Sequence, residues 1–442
     1  NWQLQPYLQG NDFRMITSSE DFLFIPTQNE VWQLDQTNVP QQLVSDQFVA
    51  PTMVAMDSDG DKWIADASRG LISDYSGSLV PIVPNGPSAA QTFRMKYTGK
   101  KLFRLNGGYS NALASLNRPG NVDQFDVGQW STVTTELKDL SDIELVNGST
   151  CVAAYGIGLN VTDGGGNTTL YNTANSTMPN LNITAIEKIS TGLLVATYGS
   201  PQSMHLFKPD QTWQGFTALA TVGRYPMEMV EDFLGRIWMV VNPAQGGGLY
   251  VVDLDANAYV YKNDIPGTGA LPSKNVRAIA VDRSGLVWVG TDIGAAYFFS
   301  ANNDAIKPIF ENRFLLRDDK VTAIAIDGGD RKWMGTERGA WLFNPIGEDF
   351  IYRFTTDNSP LLSNNILDIE IHGETGEVFF VTDKGISSFR ADASDATNSF
   401  QEVKIFPNPV TDGFNGSVGI TGLATDAGVK ITDISGKLVW QG

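Results

Sequence analysis

The sequence predicts an all-β chain: a seven-bladed β-propeller with part of a second propeller before it and part of an immunoglobulin-like β-sandwich after it. Three observations carry this expectation. An eight-residue motif recurs four times without gaps. Strong and weak copies of the unit around it begin at intervals of roughly 40–50 residues, each with three or four short strand-like runs. Glycine is abundant at 44 residues and aromatics make up 10% of the 442, a composition suited to turn-rich β-structure.

The strong copies are MDSDGDKW (Met56–Trp63), EDFLGRIW (Glu231–Trp238), VDRSGLVW (Val281–Trp288) and IDGGDRKW (Ile326–Trp333). Each sets an aspartate six residues ahead of a tryptophan: Asp57 and Trp63, Asp232 and Trp238, Asp282 and Trp288, Asp327 and Trp333. Alternating apolar runs precede the aspartate, such as VRAIAV and VTAIAI, and a second run follows the tryptophan. In two copies that run ends in Gly290-Thr291 and Gly335-Thr336, and a glycine turn leads into DIGAAYFF or ERGAWLFNP. The unit therefore reads strand, tight turn, strand, glycine turn, strand. A tryptophan at one register in every copy is expected to pack blade on blade.

Asp57-Ser58-Asp59-Gly60-Asp61 looks like the opening of a calcium loop, but the repeat gives it another reading. An aspartate starts a turn by accepting from backbone N–H groups further on, and the glycine supplies positive φ. Asp59 is replaced by Leu234, Ser284 and Gly329 in the sister copies, and the distal glutamate of an EF-hand loop would fall on Ser68. No metal is expected there.

Weaker copies start near 13, 93, 143, 183 and 366 and, with the strong ones near 53, 229, 276 and 321, make nine units. Seven fit between Phe93 and Arg390. The expected organisation is residues 1–88 as two blades of an incomplete or second propeller, 89–395 as a seven-bladed ring, then a polar linker (ADASDATNSFQE), and 403–442 as the first part of a sandwich domain. In the last segment SVGITGL, GVKITDI and KLVWQ alternate like sandwich strands, and Pro407 and Pro409 disfavour a central strand.

Two resemblances rest on these residues. The tail, through Phe406, Pro407, Asn408, Pro409 and Val410, then VKITD and SGKLV, resembles the C-terminal sorting domain of type IX secretion cargo, which implies further strands beyond Gly442. The blades VWVGTDIGAAYFF and KWMGTERGAWLFNP resemble the two-component-regulator propeller repeat. Propeller plus sorting-type domain is similar to the PorZ family. That resemblance implies a non-catalytic, outer-membrane-associated surface component of the type IX attachment complex. It implies binding of anionic lipopolysaccharide and its presentation to the sortase PorU, with PorV and PorQ as further partners. The alternatives are a glycan-sensing ectodomain, or a secreted carbohydrate-active enzyme with convergent carboxylates at the ring's mouth.

Composition narrows the chemistry. A net charge of −18 opposes nucleic acid and anionic membranes. No apolar run is long enough to span a bilayer. The single cysteine, Cys151, forbids an internal disulfide and reads as an inert core thiol. Two histidines, His205 and His372, supply neither a zinc site nor a triad and read as surface or turn residues. Asp318 and Asp319 are adjacent and would point to opposite strand faces, and NPAQGGGLY lacks the lysine and spacing of a phosphate loop. No cofactor is expected. The candidate binding patch is FRMKYTGKKLFR, in which Arg94, Lys96, Lys100, Lys101 and Arg104 concentrate positive charge suited to phosphate or another anion. The competing reading is a solvated edge hairpin.

Overall fold

The computed structural model describes residues 15–19, 21–37, 39–82, 85–217, 219, 222, 224–396, 403–406, 418–424 and 427–441, and it contains no α-helix among them. The chain divides into two compact units, Asn1–Gly86 and Pro87–Gly442.

In the first unit, two four-stranded antiparallel sheets run in simple order, Thr17–Leu43 and Pro51–Ile82. Phe24, Val31, Val54, Ile64 and Ile72 form the core between them, and Thr17 Oγ1 donates across to the Val54 carbonyl at 2.7 Å.

In the second unit, seven sheets follow one another between Arg94 and Arg390, each a meander. Their first strands are Arg94–Thr98, Leu140–Val146, Ile183–Ile189, Pro226–Glu231, Val276–Val281, Val321–Ile326 and Ile366–His372. Each packs on the next, and the seventh packs on the first. The sheets are therefore blades around an axis, numbered 1 to 7 here in chain order. Closure is by packing: Met95, Leu102 and Phe125 of blade 1 meet Phe379 and Val381 of blade 7, and no strand is shared between them. Blades 5 and 7 have three strands, and beside blade 5 lies a two-residue hairpin, Ile309–Phe310 with Arg313–Phe314.

The sequence pattern explains the joints. Blades 2 to 7 each carry a one-residue bulge near the start of the inner strand, at Ser141, Thr184, Met227, Arg277, Thr322 and Leu367. Such a bulge turns a side chain toward the neighbour. Ser141, Thr184 and Thr322 use it to donate to the carbonyls of Ile183, Pro226 and Ile366 in the next blade, at 2.9, 2.8 and 2.6 Å. The Gly-Thr pairs serve two purposes. A Cβ on Gly335 would sit 2.6 Å from Ile366 Cγ2, so only glycine admits the next inner strand. Thr336 Oγ1 donates to the Gly339 carbonyl at 2.8 Å and pins the following turn.

Past Arg390 the expected polar linker is in part a built element. Ala391 N donates to Gly376 O (3.1 Å) and Asp395 N to Gly373 O (2.7 Å), so the chain runs back across the ring. In the tail, Lys404–Phe406 pairs with Gly419–Thr421 and Lys430–Thr432 with Leu438–Gln441. The Asp433 carboxylate accepts from Ser435 N and Lys437 N in the intervening turn. Pro407, Asn408 and Pro409 lie outside the described residues, as does the side chain of Phe406.

Candidate functional site

The calcium-like string is a turn lock. Asp57 Oδ1 accepts from Asp59 N and Asp61 N, both at 3.0 Å, and Oδ2 accepts from Trp63 Nε1 at 2.7 Å. The three sister aspartates do the same, each accepting from two backbone amides and from its own indole: Asp232 from Trp238, Asp282 from Trp288, Asp327 from Trp333. These carboxylates are thus occupied by the fold. Trp238, Trp288 and Trp333 are fully buried and pack on the following blade, Trp238 against Phe298 and Trp333 against Phe380. Among the described residues no cluster of His, Cys, Asp and Glu is placed to hold a metal ion.

The chemistry concentrates instead in the central channel, a cavity of about 540 Å³ bordered by the inner strands of all seven blades. Blade 1 supplies Arg94 and Lys96. Blades 2, 3, 4 and 7 supply Asp142, Glu187, Glu228, Asp368 and Glu370. Lys96 Nζ reaches Glu144 Oε1 at 2.6 Å, Glu187 Oε2 at 3.2 Å and Asp142 Oδ1 at 3.8 Å, and donates to the Ile186 carbonyl at 3.0 Å. One ammonium therefore ties blade 1 to blades 2 and 3. Burial works against its charge, but Asp142, Glu187 and Glu144 outweigh that and hold it well above the usual lysine range. Arg94 is likewise held charged by Asp142, Glu228 and Asp368 against its burial, and its shielded Nε has no hydrogen-bond partner.

The carboxyls respond in the opposite sense. Burial pushes Glu228 up to about 7, with Arg94 opposing, and Glu187 up to about 8, with Lys96 opposing. Burial also raises Asp368, and raises Glu370 strongly. Part of this ring is consequently protonated near neutral pH, offering hydroxyl donors beside carboxylate acceptors. With charged Arg94 and Lys96 beside partly protonated carboxyls, a channel of this kind suits polar binding.

The five cations of the sequence motif do not form one patch. Strand alternation and the hairpin turn send them to different places. Arg94 and Lys96 enter the channel. Arg104 is fully buried, paired with Asp123 at 2.6 Å, and donates to Thr92 Oγ1 and the Gln91 carbonyl, which fixes the segment entering blade 1. Lys100 and Lys101 are exposed at the hairpin tip, where Lys100 meets Glu374 of blade 7 at 2.8 Å. The solvated-hairpin reading fits only these two.

The histidines are not at the surface. His205 is fully buried on the third strand of blade 3; Thr177 Oγ1 and the Gln202 carbonyl lie 3.0 and 3.1 Å from its ring nitrogens, and burial pushes it down to about 4. His372 is buried at the end of the blade 7 inner strand, its ring 5.0 Å from Tyr97. Cys151 is a buried core thiol pushed up to about 12 by burial. Asp318 pairs with Arg313 and Asp319 with Arg338. The channel acids went unread because they come from separate blades. The available signal was a charged residue interrupting an apolar inner strand, as in SDIELV, TAIEKI, MEMV and LDIEIH.

Comparison with known proteins agrees with this architecture. A family model described as the two component regulator propeller matches residues 270–292, in blade 5. PorZ, an essential surface component of the type-IX secretion system of Porphyromonas gingivalis, superposes with a TM-score of 0.68 and 22% identity over 97% of this chain. In fold, the chain is similar to PorZ. It spans 64% of the length of that structure. YCF48 bound to D1 peptide superposes at a TM-score of 0.51 and 12% identity, covering 71% of this chain and 94% of that one. The extracellular domain of BT4673 from B. thetaiotaomicron gives 0.49 at 12% identity over 88% of this chain and 59% of its own. No curated protein matches the sequence. No helix among the described residues is long and apolar enough to cross a membrane.

Proposed function

We propose that this chain is the propeller portion of a non-catalytic, PorZ-like cell-surface component of the type IX secretion machinery. It binds anionic lipopolysaccharide and presents it to the sortase PorU, with PorV and PorQ as neighbouring partners at the outer membrane. The single observation supporting this reading most is that the likeness to PorZ runs over 97% of the chain, across both compact units. The sorting-type residues Phe406-Pro407-Asn408-Pro409 add a sequence feature independent of the blades. Lys100 and Lys101 are the exposed members of the basic run, and an anionic polymer would meet them there, with Lys100 exchanging its Glu374 partner for the ligand.

The test uses the intact protein that contains this chain, immobilised and exposed to purified anionic lipopolysaccharide, neutral lipopolysaccharide and outer-membrane extract. Selective retention of the anionic form, weakened by salt and by Lys100→Ser with Lys101→Ser, together with recovery of PorU, is the expected result. Retention of neither lipopolysaccharide nor PorU would overturn the reading.

A further inference from the structure

The segment Ala391–Ala396 is polar, yet three blades are shaped to receive it. Arg331 Nη2 of blade 6 pairs with Asp392 at 2.7 Å, and Arg283 of blade 5 pairs with Asp395. Blade 7 holds the backbone through Gly376 O and Gly373 O. Glycines line the track. A Cβ on Gly328 would overlap the Ser394 carbonyl, one on Gly376 the Ala393 carbonyl, and one on Gly373 the Asp395 carboxylate. Gly328 stands where the sister turns carry Ser58, Phe233 and Arg283, so the first glycine of IDGGDRKW is accounted for by the passing chain.

The track ends at the channel. Asp395 lines a cavity of about 240 Å³ together with Tyr97, Arg283, Ala325 and Gly373. That cavity shares Ile324, Ile326, Ile369 and Glu370 with the central one. The strap therefore brings Asp395 to one mouth of the channel. Its hold on the ring's core is one small side chain, Ala391. The other side chains of the strap are half-buried or exposed, Arg283 and Asp395 are each 44% exposed, and the rest is the Arg331–Asp392 pair and two backbone hydrogen bonds. Segments with so few apolar contacts open at low local cost.

We propose that Ala391–Ala396 is a gate at this mouth, latched by the Arg331–Asp392 and Arg283–Asp395 pairs, whose local opening exposes the channel. The proposal is independent of the lipopolysaccharide reading. It is tested in the full chain carrying Cys151→Ser and Ala325→Cys, by the rate at which a maleimide labels the thiol introduced at the mouth. Asp392→Asn with Asp395→Asn removes the latch without altering either arginine, and Gly328→Ala displaces the strap without changing charge. Each is expected to speed labelling by roughly threefold to tenfold, the scale of losing two partly exposed ion pairs from a local opening equilibrium, with the ring's melting transition unchanged. Equal rates in all three proteins would overturn the proposal. So would labelling in the parent as fast as in urea-unfolded chain, or faster labelling seen only where the melting transition is also lost.

Discussion

Asp282→Ala removes a carboxylate that, besides its turn and its indole, pairs with a fully buried lysine of the next blade. Its Oδ1 accepts from Ser284 N at 3.0 Å and Leu286 N at 2.9 Å. Its Oδ2 accepts from Trp288 Nε1 at 2.8 Å and pairs with Lys332 Nζ at 3.0 Å. The turn amides are near solvent and rehydrate, so they cost about 1 kcal/mol together. The indole N–H is fully buried and would be left without an acceptor, a penalty of about 1–3 kcal/mol. Lys332 is also fully buried, but Asp330 still holds it through its carboxylate at 3.1 Å and its carbonyl at 2.6 Å. Its loss therefore falls at the low end of the roughly 3–5 kcal/mol for breaking a buried pair. Together the substitution should cost about 5 kcal/mol, a large share of the roughly 5–15 kcal/mol a folded domain holds. Asp57→Ala, whose tryptophan is only half-buried and which carries no such lysine, should cost about 1–2 kcal/mol in its own unit. Urea unfolding followed by tryptophan fluorescence, with the two units fitted as separate transitions, measures both. A cost below about 1 kcal/mol for Asp282→Ala, or equal costs at the two sites, would refute the view that Asp282 both locks its turn and ties blade 5 to blade 6 through Lys332.

Three further outcomes follow from the same structure. Gly335→Ala should destabilise the ring by about 1–3 kcal/mol through overlap with Ile366, read from the urea midpoint. The channel carboxyls make stability depend on pH. Glu228 and Glu187 are raised to about 7 and about 8 in the folded chain, so between about pH 5 and 8 the folded state binds more protons than the unfolded one and stability falls as pH rises. Glu228→Gln should flatten that slope in a pH series of melting curves, and an unchanged slope would rule the group out. Calcium or EDTA should leave the melting of residues 1–86 unmoved, because the Asp57 carboxylate is already spent on its turn; a calcium-dependent rise of the kind ligand binding produces would contradict this.

Much of the scaffold was legible in the sequence because its determinants are local. An aspartate and a tryptophan six residues on specify the turn lock and the packing surface and repeat in all four copies, while the left-handed turn position is glycine in three (Gly60, Gly235, Gly285) and Asp330, at φ 58°, in the fourth. The channel was not, because it is assembled from residues that meet only when seven blades surround an axis. Lys96 and Glu187 are 91 residues apart, and Met95 N lies against the Asp368 carboxylate 273 residues away. The basic run misled for a related reason. Closely spaced charges on a hairpin point alternately to different faces, so Arg104 joined the core while Lys96 joined the axis. The histidines were misread because His205 lies in MHLF, a strand buried on both faces, where period-two patterning carries no signal. The linker's composition is that of a free tether, and its seat is recorded in the glycines and arginines of turns in blades 5, 6 and 7.

Closure of the ring is tested most directly by joining its two ends. Lys100 of blade 1 and Glu374 of blade 7 are 274 residues apart in sequence, yet their charged atoms lie 2.8 Å apart on the surface. In a Cys151→Ser background, Lys100→Cys with Glu374→Cys should be joined rapidly within one molecule by a short bismaleimide, at a rate independent of protein concentration. Only single-ended adducts, or links only between molecules, would mean that blade 7 does not return to blade 1.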